Sequence, residues 1–240
     1  MPSRALFFTA AAGLAAMMAP LAQGAITLTN GQQALLSTII GTSNPDRTVN
    51  IGDKTFVFTT YTSVQFPATS VSISAFVAAN PLDGIGFDIT GGFGDLTAGD
   101  STISEFNLLY TVSVNPTFLA QGYRLKDIGL AFNGAASGAG SYARVDESVF
   151  DASGVNLLST LHANVTAGSS NTQQDFRDFS PSVYTSFQVN KDVKFFANGT
   201  GGTSSASFIR QSFSQRIIPA PGAAALIGFG GLIALRRRRA

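Results

Sequence analysis

Apolar and polar residues alternate along several short stretches of this chain, a pattern typical of β-strands with one buried face. The stretch 106–114 has an apolar residue at every second position. The stretch 187–195 repeats this pattern, and its opposite face is polar at Gln188, Asn190, Asp192 and Lys194. Lys191 interrupts the apolar side of this second stretch. We expect Lys191 at a sheet edge, or with its ammonium group extended into solvent.

Five further stretches have strand character, namely residues 55–61, 71–77, 125–132, 143–150 and 205–213. Clusters of Gly, Asn, Asp, Ser and Pro separate them and supply turn chemistry. The sequence contains no amphipathic helix of twelve or more residues, and a short helical turn fits only residues 32–40 and 155–161. The pattern predicts a mainly β chain, an antiparallel β-sandwich of jelly-roll-like form. Its 20 phenylalanines would pack between the sheets.

The N-terminal residues predict export from the cell. Arg4 provides a positive charge, residues 5–19 are apolar, and the small residues Ala22 and Gly24 follow. This order is typical of a signal peptide, which we place at residues 1–24 with signal peptidase cleavage after Gly24. The apolar run is too short for a retained membrane helix. The β-sandwich domain would then occupy residues 25–216, with a linker over residues 212–218.

The C-terminal residues predict a short transmembrane helix at residues 222–235, bounded by prolines on one side and by arginines on the other. The segment that carries this pattern, residues 217–240, contains Pro219, Ala220, Pro221, Gly222, Arg236, Arg237, Arg238 and Arg239. The apolar run is shorter than the roughly 20 residues that span a bilayer, and it contains three glycines that lower helix propensity. Such a segment suits a temporary anchor.

This three-part arrangement resembles the bacterial PEP-CTERM sorting signal, with Ala220 in place of the glutamate between the two prolines. The resemblance implies recognition by an exosortase-type enzyme, with processing near the motif. It also implies export from a cell of Gram-negative type. The protein would pass through an inner-membrane-anchored intermediate to the cell surface or extracellular matrix, a destination that often accompanies exopolysaccharide production.

Charge and cysteine content narrow the functional classes. Between Ala25 and Ile218 there are ten Lys and Arg residues and fourteen Asp and Glu residues, a net charge of −4. The central region therefore lacks the basic patch that nucleic-acid binding needs, and no nucleic acid is expected as a partner. The chain has no cysteine, so the exported domain has no disulfide and depends on its core for stability.

Few residues suggest catalysis. His162 is the only histidine, which argues against the usual zinc sites, and we expect it to be a surface or half-buried strand residue. There is no Gly-x-Ser-x-Gly elbow. Asp146 and Glu147 are adjacent on a predicted strand, so they point to opposite faces and do not form one acid–base pair. We therefore expect no enzymatic activity, no catalytic residue and no bound cofactor.

Two sets of residues could serve binding. Four aspartates lie in a glycine-rich region and are weak candidates for ligating a structural Ca²⁺, because turn formation is the more ordinary explanation for them: Asp83, Asp88, Asp95 and Asp100. Four tyrosines could stack on sugar rings, although packing in the core or at an interface explains them as well: Tyr61, Tyr123, Tyr142 and Tyr184.

These observations favour an exported protein of the cell surface or extracellular matrix with a structural or adhesive role. The alternative is a carbohydrate-binding module for exopolysaccharide, which predicts solvent-facing tyrosines along a groove. A third hypothesis, a glycoside hydrolase, requires two carboxylates facing each other across a cleft. The expected partners are signal peptidase, an exosortase-type enzyme, the membrane through the C-terminal segment and, in the second hypothesis, exopolysaccharide.

Overall fold

The structure, a computed structural model, describes residues 24–78, 84–169 and 171–218. The predicted signal peptide up to residue 23 and the sorting signal from residue 219 onward lie outside these ranges. Neither helix in the described ranges has the length and apolar character needed to cross a bilayer. The two helices are α1 (Leu36–Ile39) and α2 (Pro116–Ala120).

Strands make up most of the described residues. Their order along the chain is β1 (Ile26–Leu28), β2 (Gln33–Leu35), β3 (Thr48–Ile51), β4 (Lys54–Ser63), β5 (Ser72–Val77), β6 (Ile85–Asp95), β7 (Ser104–Val114), β8 (Tyr123–Leu125), β9 (Asp127–Phe132), β10 (Ala135–Ser137), β11 (Tyr142–Phe150), β12 (Leu157–Thr166), β13 (Gln174–Asp178), β14 (Ser186–Phe196), β15 (Thr203–Phe213) and β16 (Gln215–Ile217). The helical turn predicted within residues 32–40 is confirmed by α1. The one predicted at residues 155–161 is wrong, because β12 begins at Leu157 and pairs with β11.

The strands form an antiparallel β-sandwich, as the alternation predicts. Sheet 1 has the order β1-β3-β4-β7-β14-β11-β12. Sheet 2 has the order β13-β9-β15-β6-β5-β2, with β10 also paired to β15, and β8 and β16 form a small third sheet. The pair β1–β3 is parallel, and the other strand pairs of the described residues are antiparallel.

Aromatic rings from both sheets meet in the core. Phe87 of sheet 2 contacts three rings of sheet 1, with centroid distances of 5.2 Å to Phe56, 5.4 Å to Phe58 and 5.2 Å to Tyr110. A second aromatic group consists of Phe66, Phe93, Phe106 and Phe195. The expected packing of phenylalanines between the sheets is therefore confirmed. Rings at these distances add pair energies to the burial of their apolar area.

The linker predicted over residues 212–218 is wrong. β15 continues to Phe213, and β16 pairs with β8 so that Ile217 lies opposite Tyr123. The Ile218 N–H then donates a hydrogen bond of 2.9 Å to the Gly122 carbonyl oxygen. The cause is the side chain of Gln215, which is buried between Lys54 and Asp53 and holds the segment against the sandwich.

The prediction for Lys191 is also wrong. β14 is an inner strand between β7 and β11, and the Lys191 side chain is fully buried. Its ammonium group pairs with the Glu147 carboxylate, and these two residues lie directly opposite each other in the β11–β14 ladder. A buried charge is tolerated when a partner of opposite charge compensates it. Here that partner comes from a strand more than forty residues away in the sequence.

The pairing of β6 with β15 depends on the absence of a side chain at Gly86. A Cβ atom there would lie 1.8 Å from the Gln211 carbonyl oxygen. We expect Gly86→Ala to lower the free energy of unfolding by at least about 2 kcal/mol, because the two strands must separate. Gly92→Ala on the same strand is the matched control, since its Cβ would meet nothing within 4 Å. Urea unfolding of the two variants should therefore show the larger loss of stability for Gly86→Ala. Equal losses in the two variants would contradict an energetic role for the close approach of the strands.

Candidate ligand-binding face

The outward-facing side of sheet 1 carries a polar row that crosses five adjacent strands. The ladders place its members directly beside one another, in the order Thr62, Asn107, Asp192, Asp146 and His162. On β7, β14, β11 and β12 the neighbouring inward-facing residues are buried, and on β4 they are half-buried, whereas the row itself is exposed or half-buried. The alternation of each strand thus produces one apolar and one polar face of the sheet.

Two carboxylates stand side by side at the centre of this polar row. Asp146 and Asp192 are direct cross-strand partners, an arrangement that is destabilising for like charges unless cations compensate it. Lys194 Nζ lies 2.5 Å from Asp192 Oδ2, and Arg144 Nε lies 2.6 Å from Asp146 Oδ2. The hydrogen bond to Asp192 raises the pKa of Lys194 above its usual value. Both carboxylates therefore have a cation within the same surface.

The Asp146 carboxylate also contacts the histidine at the end of the row. His162 Nδ1 lies 2.8 Å from Asp146 Oδ1, and the ring is largely exposed on β12. The His162 N–H donates a hydrogen bond of 2.9 Å to Asp175 Oδ2. The prediction of a surface strand residue is confirmed. Asp146 faces solvent while Glu147 is buried, so the expected separation of these two carboxylates is confirmed as well.

A groove of about 760 Å³ lies at the β4 end of the polar row. It is open to solvent and combines apolar and polar lining residues, among them Tyr61, Val64, Glu105, Asn107, Asp192 and Lys194. Glu105 and Lys194 are direct cross-strand partners, and Lys194 also pairs with Asp192. The ammonium group contacts the Asp192 carboxylate, and the side chains of Glu105, Asp192 and Lys194 all line the groove. This set of groups can donate and accept hydrogen bonds to hydroxyl groups.

Two aromatic residues line the groove, the buried Phe106 and the half-buried Tyr61. The Tyr61 ring packs on Phe106 with centroids 5.8 Å apart, and its hydroxyl donates a hydrogen bond of 2.5 Å to the Phe66 carbonyl oxygen. Burial raises the pKa of Tyr61 to about 12, although the Ser63 hydroxyl acts in the opposite direction. The ring is thus fixed in orientation, with part of its surface on the groove.

The other three candidate tyrosines do not extend this groove. Tyr142 lies on the outer face of sheet 1 beside Phe196, with centroids 5.5 Å apart, and the Arg144 guanidinium lies 5.8 Å from its ring centroid. Tyr123 packs on Phe118, and Tyr184 packs on Phe179 and Phe187. The packing role expected for most of the four tyrosines is confirmed for Tyr123 and Tyr184, and the line of tyrosines along one groove that the carbohydrate-binding alternative predicts is not found among the described residues.

Three of the four aspartates considered for Ca²⁺ have other partners. Asp88 accepts hydrogen bonds of 2.7 and 2.8 Å from the Arg210 guanidinium. Asp95 accepts the N–H groups of Thr97 and Ala197, and Asp100 accepts the N–H group of Thr102. Asp83 lies outside the described residues. Within the described ranges, no group of three or more acidic, histidine or cysteine side chains is suited to a metal ion.

Sequence reasoning missed the polar row as a unit. Alternation identifies the outward residues of each strand, such as Asn190 and Asp192, but contains no information about which strands are neighbours. The row depends on ladders between distant residues, and Asn107 and Asp192 are 85 positions apart in the sequence. A clue was present in the adjacent residues Asp146-Glu147 and Lys191-Asp192, because an antiparallel register that places Glu147 opposite Lys191 also places Asp146 opposite Asp192.

The raised pKa of Tyr61 predicts a specific alkaline transition. The pKa of this phenol is higher in the folded chain than its usual value of 10.0, so its contribution to the free energy of unfolding is fully present below pH 10. That contribution is lost as the pH rises through about 12. We expect the absorbance titration of wild type minus that of Tyr61→Phe to show one phenol ionising near pH 12. Tyr142→Phe is the control and should leave this phase in place. A difference spectrum that titrates near pH 10 would contradict the burial of this hydroxyl.

Comparisons with known proteins identify no family for this chain. No protein-family model and no curated protein matches it. Among solved structures, it is similar to the enzymatically active domain of tailspike protein 4 of bacteriophage CBA120, with 16% identity over 70% of this chain and a TM-score of 0.28. The aligned part spans 20% of that tailspike chain. It is also similar to TmCBM61, solved with β-1,4-galactotriose, with 12% identity over 63% of this chain and 86% of that chain and a TM-score of 0.28. The mannan-recognising module TmCBM27 is similar as well, with 9% identity over 67% of this chain and 99% of that chain and a TM-score of 0.22.

Proposed function

We propose that this protein is an exported, non-enzymatic β-sandwich that binds a polysaccharide on the outer face of sheet 1. The observation that carries the proposal is the groove beside the polar row. Its volume of about 760 Å³ falls within the range of about 300–1,000 Å³ that is usual for small-ligand sites. One or two sugar residues of a longer chain would occupy the groove, and the rest would extend across the open face.

The polar groups of this face suit sugar hydroxyls. A hydroxyl both donates and accepts, so it needs neighbours of both kinds. Asn107 provides an amide with both functions, Asp192 accepts, and Lys194 donates, all on neighbouring positions of β7 and β14. Hydrogen bonds to ionised groups are roughly twice as strong as neutral ones. The groove therefore favours a hydroxyl-rich ligand over an apolar one.

Aromatic surface near these polar groups supports the same ligand class. Tyr61 forms part of the groove wall, and the ring pair Tyr142–Phe196 lies on the same face beyond Lys194 and Arg144. Sugar rings present apolar C–H faces as well as hydroxyls, and aromatic side chains combine apolar area with a defined orientation. The arrangement offers an extended surface on which a chain of several sugar units would contact both kinds of group.

The two ends of the sequence support the location in this proposal. The predicted signal peptide at residues 1–24 and the PEP-CTERM-like segment at residues 217–240 would direct the protein through the inner membrane to the cell surface or matrix. Processing by signal peptidase and an exosortase-type enzyme belongs to the proposal. An exported protein with a net charge of −4 in its central region would meet polysaccharide there, and nucleic acid would not be a favoured ligand.

A structural role without a sugar ligand is the second candidate. β13 is an edge strand of sheet 2, and it carries the largely exposed side chain of Phe176. Unpaired edge strands can pair with another chain, and an exposed aromatic residue would add apolar contact to such pairing. In this alternative the protein would assemble with copies of itself, and the groove would have no ligand.

The binding proposal is tested with the full-length protein in detergent micelles and the exopolysaccharide of its native cell. We expect saturable binding for the wild type and at least tenfold weaker binding for Asp192→Ala, a loss of about 1.4 kcal/mol. Asp46→Ala is the matched control, because Asp46 is an exposed aspartate outside the groove. It should bind as the wild type does. Addition of a Ca²⁺ chelator should leave the isotherm unchanged.

Three results would contradict the proposal in different ways. Absence of wild-type binding, together with self-association that Phe176→Ser abolishes, would favour the structural candidate. Equal affinity of Asp192→Ala and wild type would place the ligand elsewhere on the molecule. New reducing ends in the polysaccharide after incubation would indicate hydrolysis, and the protein would then be an enzyme.

The predicted processing requires a separate measurement. N-terminal sequencing of protein recovered from its native cell should begin at Ala25, because cleavage is expected after Gly24. Replacement of Arg236, Arg237, Arg238 and Arg239 by alanine should prevent processing near Pro219 and reduce the surface-exposed fraction. An intact N-terminus would contradict the signal peptide. Unchanged surface delivery of the alanine variant would contradict the sorting role of the arginine cluster.

A further inference from the structure

Three polar side chains meet in the centre of the apolar core. Lys191 of β14 and Glu147 of β11 come from neighbouring strands of sheet 1, and Gln211 of β15 reaches them from sheet 2. Each of the three is at most 1% exposed. Buried polar groups at this depth need partners, so the exact pattern of their contacts is informative.

One carboxylate bridges an amine and a carboxamide in this cluster. Lys191 Nζ donates to Glu147 Oε2, and Gln211 Nε2 donates a hydrogen bond of 3.2 Å to Glu147 Oε1. Gln211 Nε2 also donates to the Gly129 carbonyl oxygen at 3.0 Å, which fixes the plane of the carboxamide. Gln211 Oε1 is buried without a hydrogen-bond partner. The amine and the carboxamide are therefore held on the two oxygens of a single acid–base group.

The surroundings favour the neutral amine. Burial lowers the pKa of Lys191, and the charge of Glu147 and the hydrogen bond to it oppose that shift. A lysine that transfers its proton to an adjacent carboxylate becomes a nucleophilic amine. The Tyr110 hydroxyl is also buried and has no hydrogen-bond partner, and burial followed by the negative charge of Glu147 raises the pKa of this phenol. The side chains of this cluster are all buried from solvent, namely Lys191, Glu147, Gln211 and Tyr110.

We propose that this cluster is a self-modification site in which Lys191 Nζ forms an amide bond with Gln211 Cδ, with Glu147 as the catalytic acid and base. Glu147 first takes a proton from the Lys191 ammonium group, and the neutral Nζ attacks Cδ. Glu147 then gives its proton to Nε2 and takes the second proton from Nζ. The Cδ–Nε2 bond breaks, and Nε2 leaves as ammonia. The products are a neutral amide and a protonated Glu147, so no oxidant or other reactant is needed.

The reaction removes the charges from the core. Before it, an ammonium and a carboxylate are buried together, and afterwards both groups are uncharged. Removing two charges from a low-dielectric interior is favourable, since each is costly to desolvate. Glu147 is the less suitable electrophile, because attack on its own carboxyl carbon would leave no acid–base group in the cluster to transfer the protons, whereas attack on Gln211 keeps Glu147 available for that role.

The bond would provide a covalent connection between the two sheets. It would join β14 of sheet 1 to β15 of sheet 2 at the centre of the sandwich. The chain has no cysteine, so a disulfide cannot supply such a connection. An amide also resists reduction. A protein that works outside the cell, as proposed above, would gain a brace that acts like a disulfide, although this inference does not depend on sugar binding.

A second buried lysine provides an internal control. Lys54 contacts Asp53 and Gln215, and these residues are also almost fully buried. Here Lys54 Nζ donates to Gln215 Oε1 at 2.9 Å, while Gln215 Nε2 donates to Asp53, so both ends of the carboxamide have partners. The amine is therefore directed to the amide oxygen instead of the carbon. We expect no bond at Lys54.

The test is a peptide map of the full-length wild-type protein, purified in detergent and unfolded before digestion with trypsin. The bond would block cleavage after Lys191, so residues 178–194 should appear joined to residues 211–216. The mass of the joined peptide should equal the summed masses of peptides 178–194 and 211–216 minus one ammonia, about 17 Da. Cleavage after Lys54 should be complete.

Linear peptides that end at Lys191 and begin at Gln211, with unmodified masses, would overturn the proposal. So would a loss of one water, about 18 Da, within a link between Lys191 and Glu147. Glu147→Gln removes the acid–base group and should yield only the linear peptides, whereas Asp53→Asn should leave the joined peptide in place. If Glu147→Gln does not fold, the wild-type map alone still decides the question.

Discussion

The buried contact between Lys191 and Glu147 is the constraint on which the rest of sheet 1 depends. Before the proposed amide bond forms, both charges are fully enclosed, and each is tolerated because the other lies directly opposite it in the β11–β14 ladder. A one-residue slip of either strand would turn its charge to the other face and leave the remaining charge alone in the core. Breaking a buried ion pair in this way typically costs about 3–5 kcal/mol. A slip of two residues would keep the apolar faces inward and still separate the charges, so the pair distinguishes registers that apolar packing alone does not.

The same register determines the outer face. Asp146 precedes Glu147, and Asp192 follows Lys191, so burying one pair necessarily brings the two aspartates together on the solvent side. That placement aligns Asn107 and His162 with them and forms the polar row. The arrangement links stability to the proposed binding face, because the charges on the outside inherit their spacing from the charges on the inside. A substitution in the core pair would therefore shift the side chains that line the groove, although the pair itself does not contact the groove.

Much of the fold follows from local pattern. The period-two alternation of residues 106–114 and 187–195 predicted β7 and β14 with the correct inward faces, and the turn clusters predicted a chain almost free of helix. The failures concern non-local partners. The local pattern predicts Lys191 at a sheet edge, because it contains no information that Glu147 lies opposite. It predicts a linker at residues 212–218, because it contains no information that Gln215 binds Asp53 and Lys54. The polar row could not be predicted for the same reason, since single-strand patterns do not specify which strands are neighbours.

The most direct test of this account is a double-mutant cycle on the central pair, measured as free energies of unfolding in a Gln211→Met background where the proposed bond cannot form. Lys191→Met and Glu147→Leu should each be destabilising by about 3–5 kcal/mol, because each leaves one buried charge without a partner. The stability loss of the double variant should be smaller than the sum of the two single losses, by more than about 1 kcal/mol, because the double variant leaves no charge unpaired. Strictly additive losses would show that the two residues act independently, and the pair would then not be what determines the register of the sheet.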